Sequence, residues 1–262
     1  MKIYYLGTCS GTEPMLDMHH TSFVFEINNN LYWFDAGENA AHRAYTSGLD
    51  FLSSRAIFIS HSHIDHIGGL PNLLFVFHKL NSMHKKKLYH NNTVDLYLPD
   101  SSYFEPIFKI ALGNRSISSE LGFTINERAI ADGIIYEDEN VKVSAFHNTH
   151  LGENGKNGWH SFSFLLEAEG KKIVCSGDIK DYSELDRLPV DECDLLIGET
   201  GHHKVVRVLE YATEHKIKRL RFIHHGREIL SDRAAAEALV FSHSDQNGID
   251  ARLCYDGMSE EL

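Results

Sequence analysis

Short apolar runs alternate along this chain with polar and turn-forming stretches, the pattern of strands in a mixed sheet. "KIYYLG" reads as a buried strand that gives way to the turn-rich "GTCSGTEP". "TSFVFEINNNLYWFDAG" places β-branched and aromatic runs on either side of three asparagines, which predicts a hairpin. "ENAAHRAYTSG" predicts a short helix stopped by Gly48, and "RAIFIS" a strand. "GGLPNLLFVFHKLNSMHKK" has helical spacing with Pro71 near its start, where proline is tolerated. "VDLYLP" is a further strand candidate and "SSYFEPIFKIALG" a helix closed by Gly113, with three short strands over 121–147 ending in "VKVSAFH". "HSFSFLLEAEG" and "KKIVCSGD" form a second hairpin, followed by a helical turn at "DYSELDRL". "CDLLIGET", "LRFIHH" and "DARLCY" are strands separated by helices around 203–215 and 231–246, the latter with Ser231 as its N-cap. Hairpins mixed with strand–helix alternation predict a mixed α/β protein, and the lack of a linker predicts one domain over 1–262.

Composition narrows the possibilities. Apolar content of 42% and charged content of 24% are those of a globular protein with a sizeable core. The net charge of −12 argues against a long nucleic acid or an anionic membrane as partner, since both need a basic face. "HKKK" at 84–87 and "KIKRLRF" at 216–222 read as solvated local patches. Cys9, Cys175, Cys193 and Cys254 make no CxxC pair, which fits thiols in a reducing cytoplasm. The opening "MKIYYLGTCSG" lacks a leader-like apolar core, and no run is long enough to span a bilayer.

Histidine is the outlier, at eighteen residues. Several stand just beyond apolar strand candidates, where α/β proteins build their sites. His61, His63, Asp65 and His66 follow "AIFIS", His150 follows "VKVSAFHNT", Asp178 follows "KIVCSG", and His224 with His225 follows "LRFI". Imidazoles and carboxylates in that number suit zinc, manganese or iron rather than calcium. Read as an extended or tight-loop segment, positions 61 and 63 point one way while 65 and 66 are offset toward a second point, so one loop can address two metals. A water shared by two such ions becomes a hydroxide near neutral pH, and no protein nucleophile is needed.

"HSHIDH", followed by Gly68 and Gly69, matches the HxHxDH signature of the metallo-β-lactamase superfamily, with "NTH", "SGD" and "FIHH" in the order of its later ligand motifs. "LGTCSGTEP", "HHTSFVFE" and "LYWFDAGENAAHR" resemble the ribonuclease Z-like branch, so the resemblance covers nearly the whole chain. It implies a four-layer αββα sandwich holding two divalent metal ions, zinc first, with manganese or iron as alternatives. His61, His63 and His150 would bind one ion, Asp65, His66 and His224 the other, with Asp178 bridging them. Asp65 would also orient or deprotonate the attacking water. His147 competes with His150, and His225 with His224. Asp35 resembles a carboxylate that fixes a ligand imidazole without binding metal.

His20, His202 and His203, with His19, fall in loops where they could line the substrate mouth or protonate a leaving group; ordinary surface histidines have the same contexts. His78, His84, His90 and His215 read as structural or exposed. Departures from ribonuclease Z bear on the substrate. The "TEPMLDMHH" loop lacks the basic element, residues 105–130 read as core rather than as a protruding tRNA arm, and "GET" at 198–200 only partly resembles the HEAT motif. Cys9 alone does not match the cysteine zinc site of phosphonate-pathway cyclic phosphodiesterases. The expectation is a hydrolase of a small phosphodiester, with a lactone, thioester or sulfate ester as the competing substrate and tRNA 3′ processing as a weaker alternative. A non-catalytic metal-binding domain is the reading from a different class. "LLFVFHKL" leaves room for a homodimer.

Overall fold

The computed structural model describes residues 1–113, 122–154 and 158–262. They form two compact units interleaved along the chain: Met1–Gly7, Pro14–Ile130 and Asp256–Leu262 in one, Thr8–Glu13 and Ala131–Tyr255 in the other.

The first unit contains β1 (Lys2–Gly7), β2 (Ser22–Ile27), β3 (Asn30–Phe34), β4 (Ser54–Phe58), β5 (Thr93–Leu98) and β6 (Thr124–Ala129). β2 and β3 close on Asn28 and Asn29, both at positive φ, which explains the asparagines of the predicted hairpin. From β3 onward the neighbours pair in parallel, so several strands end on the same side. Helices α1 (Ala40–Thr46), α2 (Ile64–Ile67), α3 (Leu70–His84) and α4 (Phe104–Leu112) connect them. α3 buries Leu70, Leu73, Leu74 and Phe77 against Trp33 and Ile57, the helical spacing visible in the sequence. Alternate sheet positions carry stacked aromatics, with Phe23 on Phe34 at 5.5 Å and Phe58 on Tyr97 at 5.1 Å. Most of 105–130 is helix α4 and strand β6; residues 114–121 of that stretch lie outside the described residues.

The second unit runs β7 (Gly133–Glu137), β8 (Val141–His147), the ribbon β9 (Glu153–Asn154) and β10 (Gly158–Trp159), β11 (Phe162–Ala168), β12 (Lys171–Cys175), β13 (Leu195–Glu199), β14 (Arg219–Ile223) and β15 (Asp250–Leu253). β7, β8, β11 and β12 pair antiparallel, while β12 to β15 pair in parallel. Helix α5 (Val205–Glu214), the short α6 (Arg227–Ser231) and α7 (Arg233–Asn247) enclose a core of Val174, Leu196, Leu209 and Phe222. A last strand, β16 (Ser259–Glu261), returns to β1, so the first sheet has the order β16-β1-β2-β3-β4-β5-β6. Residues 8–13 leave β1 for the other unit, where Cys9 bridges His225 and Arg227 binds the Glu13 carboxylate.

Two expectations need correction. Ser231 is not an N-cap; it ends α6, and the Asp232 carboxylate accepts from Ala235 N at 3.0 Å to start α7. The motif 61–66 is not extended throughout, because Ile64–Ile67 closes a helical turn with His66 N and Ile67 N bonded to His63 O. Asp65 and His66 are therefore offset from His61 and His63 by a change of backbone geometry.

Glycines hold the first unit's loops at backbone contact. A Cβ at Gly69 would stand 2.0 Å from Gly37 O, and one at Gly37 would stand 2.3 Å from His20 O. Since neither obstruction is a movable side chain, Gly69→Ala is expected to cost about 3 kcal/mol. Thermal unfolding should show a Tm lowered by about 6–12 °C, and an unchanged Tm would refute the contact.

Candidate metal centre

In the first unit the ligand candidates sit beyond β3 and β4. Asp35 follows β3 at a positive φ of 56°, which turns its buried carboxylate onto the neighbouring strand end. There Asp35 Oδ1 accepts from Ser60 N at 2.7 Å and Oδ2 from Ser60 Oγ at 2.9 Å. His66 Nδ1 donates to Asp35 Oδ2 at 2.7 Å. With its proton committed to Asp35, Ser60 Oγ accepts from His61 Nδ1 at 3.1 Å. One carboxylate thus fixes two imidazoles in the tautomer that leaves Nε2 as the ligating atom. The His61 ring lies 4.6 Å from His63 and 4.0 Å from His66, and Asp65 Oδ2 stands 3.4 Å from His66 Nε2.

In the second unit the candidates lie beyond β8, β12 and β14. Three ring nitrogens surround Asp178 Oδ2: His224 Nε2 at 3.4 Å, His150 Nε2 at 3.7 Å and His202 Nδ1 at 3.9 Å. His224 adopts a positive φ of 50°, and a side chain at position 201 would meet its Nδ1 at 2.4 Å, so Gly201 is what admits the ring. Behind the cluster lies Glu199, a buried carboxylate absent from the candidates of the sequence. It accepts from His202 Nδ1 at 2.9 Å and His202 N at 3.0 Å, and stands 3.6 Å from His224 Nδ1. Burial pushes the Glu199 pKa up, but the bond from His202 and the nearby His224 ring outweigh it and hold the group well below the usual carboxylate range. The same bond to Glu199 raises His202 above the ordinary histidine value, against the opposing effect of burial.

The alternatives occupy different surroundings. His147 bonds Asp132 at 2.6 Å and Arg187 at 2.9 Å and stacks on Trp159. His225 bonds Cys254 O at 2.9 Å, and burial lowers it to about 4. His203 Nε2 donates to Ile179 O at 2.9 Å, with its ring against Tyr182. His20 binds the Glu38 carboxylate with both its backbone N–H and Nδ1 at 3.0 Å, and His19 Nδ1 joins at 2.8 Å.

The donor set fits divalent metal. Tetrahedral ligands about 2.1 Å from an ion stand about 3.4 Å apart, the separation seen in each cluster. Buried imidazoles held with N–H groups toward carboxylates are what such ligation requires.

Glu38 supplies a pH test. Burial raises its pKa, but hydrogen bonds from His20 and His19 prevail and bring it to about 2 from 4.5. A depressed carboxylate contributes stability that is present above about 4.5 and lost as pH falls toward 2. Discounted for the exposed half of Glu38, the contribution is about 1 kcal/mol. Glu38→Gln should therefore lower Tm at pH 6, and the gap should narrow across that window; a gap constant with pH would contradict it.

Comparison with known proteins places these features in a family. The family model of the anti-Pycsar protein Apyc1 matches residues 1–246. Ribonuclease Z of Picrophilus torridus is 25% identical over 269 residues, covering 86% of this chain and 85% of that protein. Ribonuclease Z of Prochlorococcus marinus (strain MIT 9303) is 29% identical over 159 residues, covering 57% of this chain and 45% of that protein. The chain thus spans about half the length of several curated relatives it matches. Among solved structures, the short form of human tRNase Z superposes with a TM-score of 0.72 at 21% identity, covering 100% of this chain and 99% of that one. The metallo-β-lactamase fold protein YhfI of Bacillus subtilis also gives 0.72, at 14% identity and the same coverage. A diphosphatase of the PhnP family gives 0.65 at 14% identity, covering 100% and 97%. The two helix-flanked sheets have the metallo-β-lactamase fold. Among the described residues no helix is long and apolar enough to cross a membrane. This chain belongs to the family of the anti-Pycsar protein Apyc1, and it shares sequence similarity with ribonucleases Z and the fold of metallo-β-lactamase proteins.

Proposed function

We propose that the chain is a dinuclear metal-dependent phosphodiesterase of small substrates, a cyclic or short nucleotide-type ester foremost. His61, His63 and His150 would hold one ion, Asp65, His66 and His224 the other, and Asp178 would bridge them, with zinc as the first choice. The observation that carries this reading is the pair of imidazole–carboxylate clusters, one per unit, in which His61, Asp65, His66, Asp178 and His224 are buried and each cluster is braced by a further buried carboxylate, Asp35 or Glu199.

When bound, the two ions supply Lewis acidity toward a phosphoryl oxygen and a water acidic enough to ionise near neutral pH. The chain's own residues do the rest. Asp65 accepts the proton of the attacking water. Asp35 and Glu199 keep imidazole N–H groups turned away from the reacting atoms. His202, exposed over a fair part of its side chain and held through Nδ1 by Glu199, donates a proton to the departing oxygen.

A phosphoester is favoured over other esters by relatives whose names are ribonuclease and diphosphatase. A net charge of −12 favours a small anion over a polyanion. The test is a hydrolysis panel run with quantified metal and with Asp65→Asn as the blank. It should include cyclic mononucleotides, dinucleotides, bis(p-nitrophenyl) phosphate, precursor tRNA, lactones, thioesters and aryl sulfates. Turnover of the small phosphodiesters is expected; turnover confined to lactones or thioesters would overturn the reading.

A further inference from the structure

The 3₁₀ turn Tyr182–Arg187 follows Asp178 closely and opens with a capping box between Asp181 and Glu184. Glu184 does more than cap it. Its Oε1 accepts from Lys180 N at 2.9 Å and Asp181 N at 3.2 Å, within the turn. Its Oε2 accepts from Thr149 N at 2.6 Å, and Oε1 also receives Thr149 Oγ1 at 3.2 Å. Thr149 is the residue before His150. A single carboxylate therefore joins the segment after one candidate ligand to the segment before another.

The rest of the His150 loop is held less directly. His150 N donates to Asn148 Oδ1 at 3.2 Å, and Leu151 N to Ser161 Oγ at 3.1 Å. Both bonds shape the loop locally, and neither reaches the Asp178 segment. Asn148 Nδ2 reaches Ser176 O only through the Ser163 hydroxyl, whereas Thr149 binds a charged acceptor directly, the stronger kind of bond, so the Glu184–Thr149 pair is the stronger tie between the two segments.

We infer that Glu184 is a positioning residue of the metal centre, holding the His150 loop in register with Asp178. This rests on the dinuclear reading above. Glu184→Gln separates its two tasks: the amide oxygen still caps the turn, but an NH₂ group cannot accept from Thr149 N. Asp181→Ala is the converse control, because it removes the Asp181 bonds to Ser183 and leaves the Thr149 contact in place.

Two measurements on the full chain decide the matter. In chelator competition with Zn²⁺, Glu184→Gln should weaken binding about 10-fold, the usual effect of losing a partner behind a ligand, while Asp181→Ala should leave it unchanged. In the metal-free protein, amide hydrogen exchange at Thr149 should quicken at least about 10-fold in Glu184→Gln only. Equal zinc affinity in Glu184→Gln and the parent, or an equal loss in Asp181→Ala, would overturn the assignment. If the parent itself takes up no zinc, the dinuclear reading fails. The Thr149 amide then still decides whether Glu184 holds the loop.

Discussion

Asp65→Asn is expected to leave a folded protein whose hydrolysis rate has fallen by about three to five orders of magnitude, through loss of a general base and of a charged ligand together. The substitution is isosteric, and Asp65 sits in the short helix α2, whose backbone bonds to His63 O and Ile64 O do not involve the side chain. What changes is the atom 3.4 Å from His66 Nε2, which becomes a neutral amide in place of a charged oxygen. An amide neither takes a proton from water nor balances the charge of a divalent ion. Metal analysis should show less than the parent's content, and saturating metal should not restore turnover. A variant within tenfold of the parent on every substrate would remove Asp65 from the chemistry.

His202→Ala should behave differently, and the difference is diagnostic. For a cyclic nucleotide the departing group is an alkoxide that must be protonated, so kcat should fall about 10²- to 10⁴-fold. For bis(p-nitrophenyl) phosphate the phenolate leaves unprotonated, and the rate should stay near that of the parent. The proposed role of His202 rests on its bond to Glu199 and on its ring, which lies 4.9 Å from His150 and 5.6 Å from His224. Equal losses on both substrates would instead make it a structural support of the cluster.

The first unit's candidates were legible in the sequence because four of them crowd into six positions after an apolar strand. The second unit's candidates are dispersed beyond β8, β12 and β14, and only the order of short motifs made them visible. Glu199 escaped because "GET" was weighed against a motif with histidine before the glutamate, and glycine stands there. Its signal was present all the same: like Asp35 it is a carboxylate at the end of an apolar strand, the "WFD" pattern repeated as "IGE". The helical turn Ile64–Ile67 is too short for periodicity to reveal, and β16 has the polar sequence of an exposed edge, "SEE". Ser231 was the wrong cap because a better acceptor, Asp232, follows it at once.

The interleaving of the units governs how the molecule can be made. One unit needs residues 256–262 to complete its sheet beside β1, and the other needs residues 8–13 to bridge the end of β14. During synthesis neither can close while the ribosome still holds the last third of the chain. The earliest strands must wait with unpaired edges, a slow and aggregation-exposed route for pairings so distant in sequence. Each unit's own ligand candidates would therefore reach their final surroundings only at the end of that sequence.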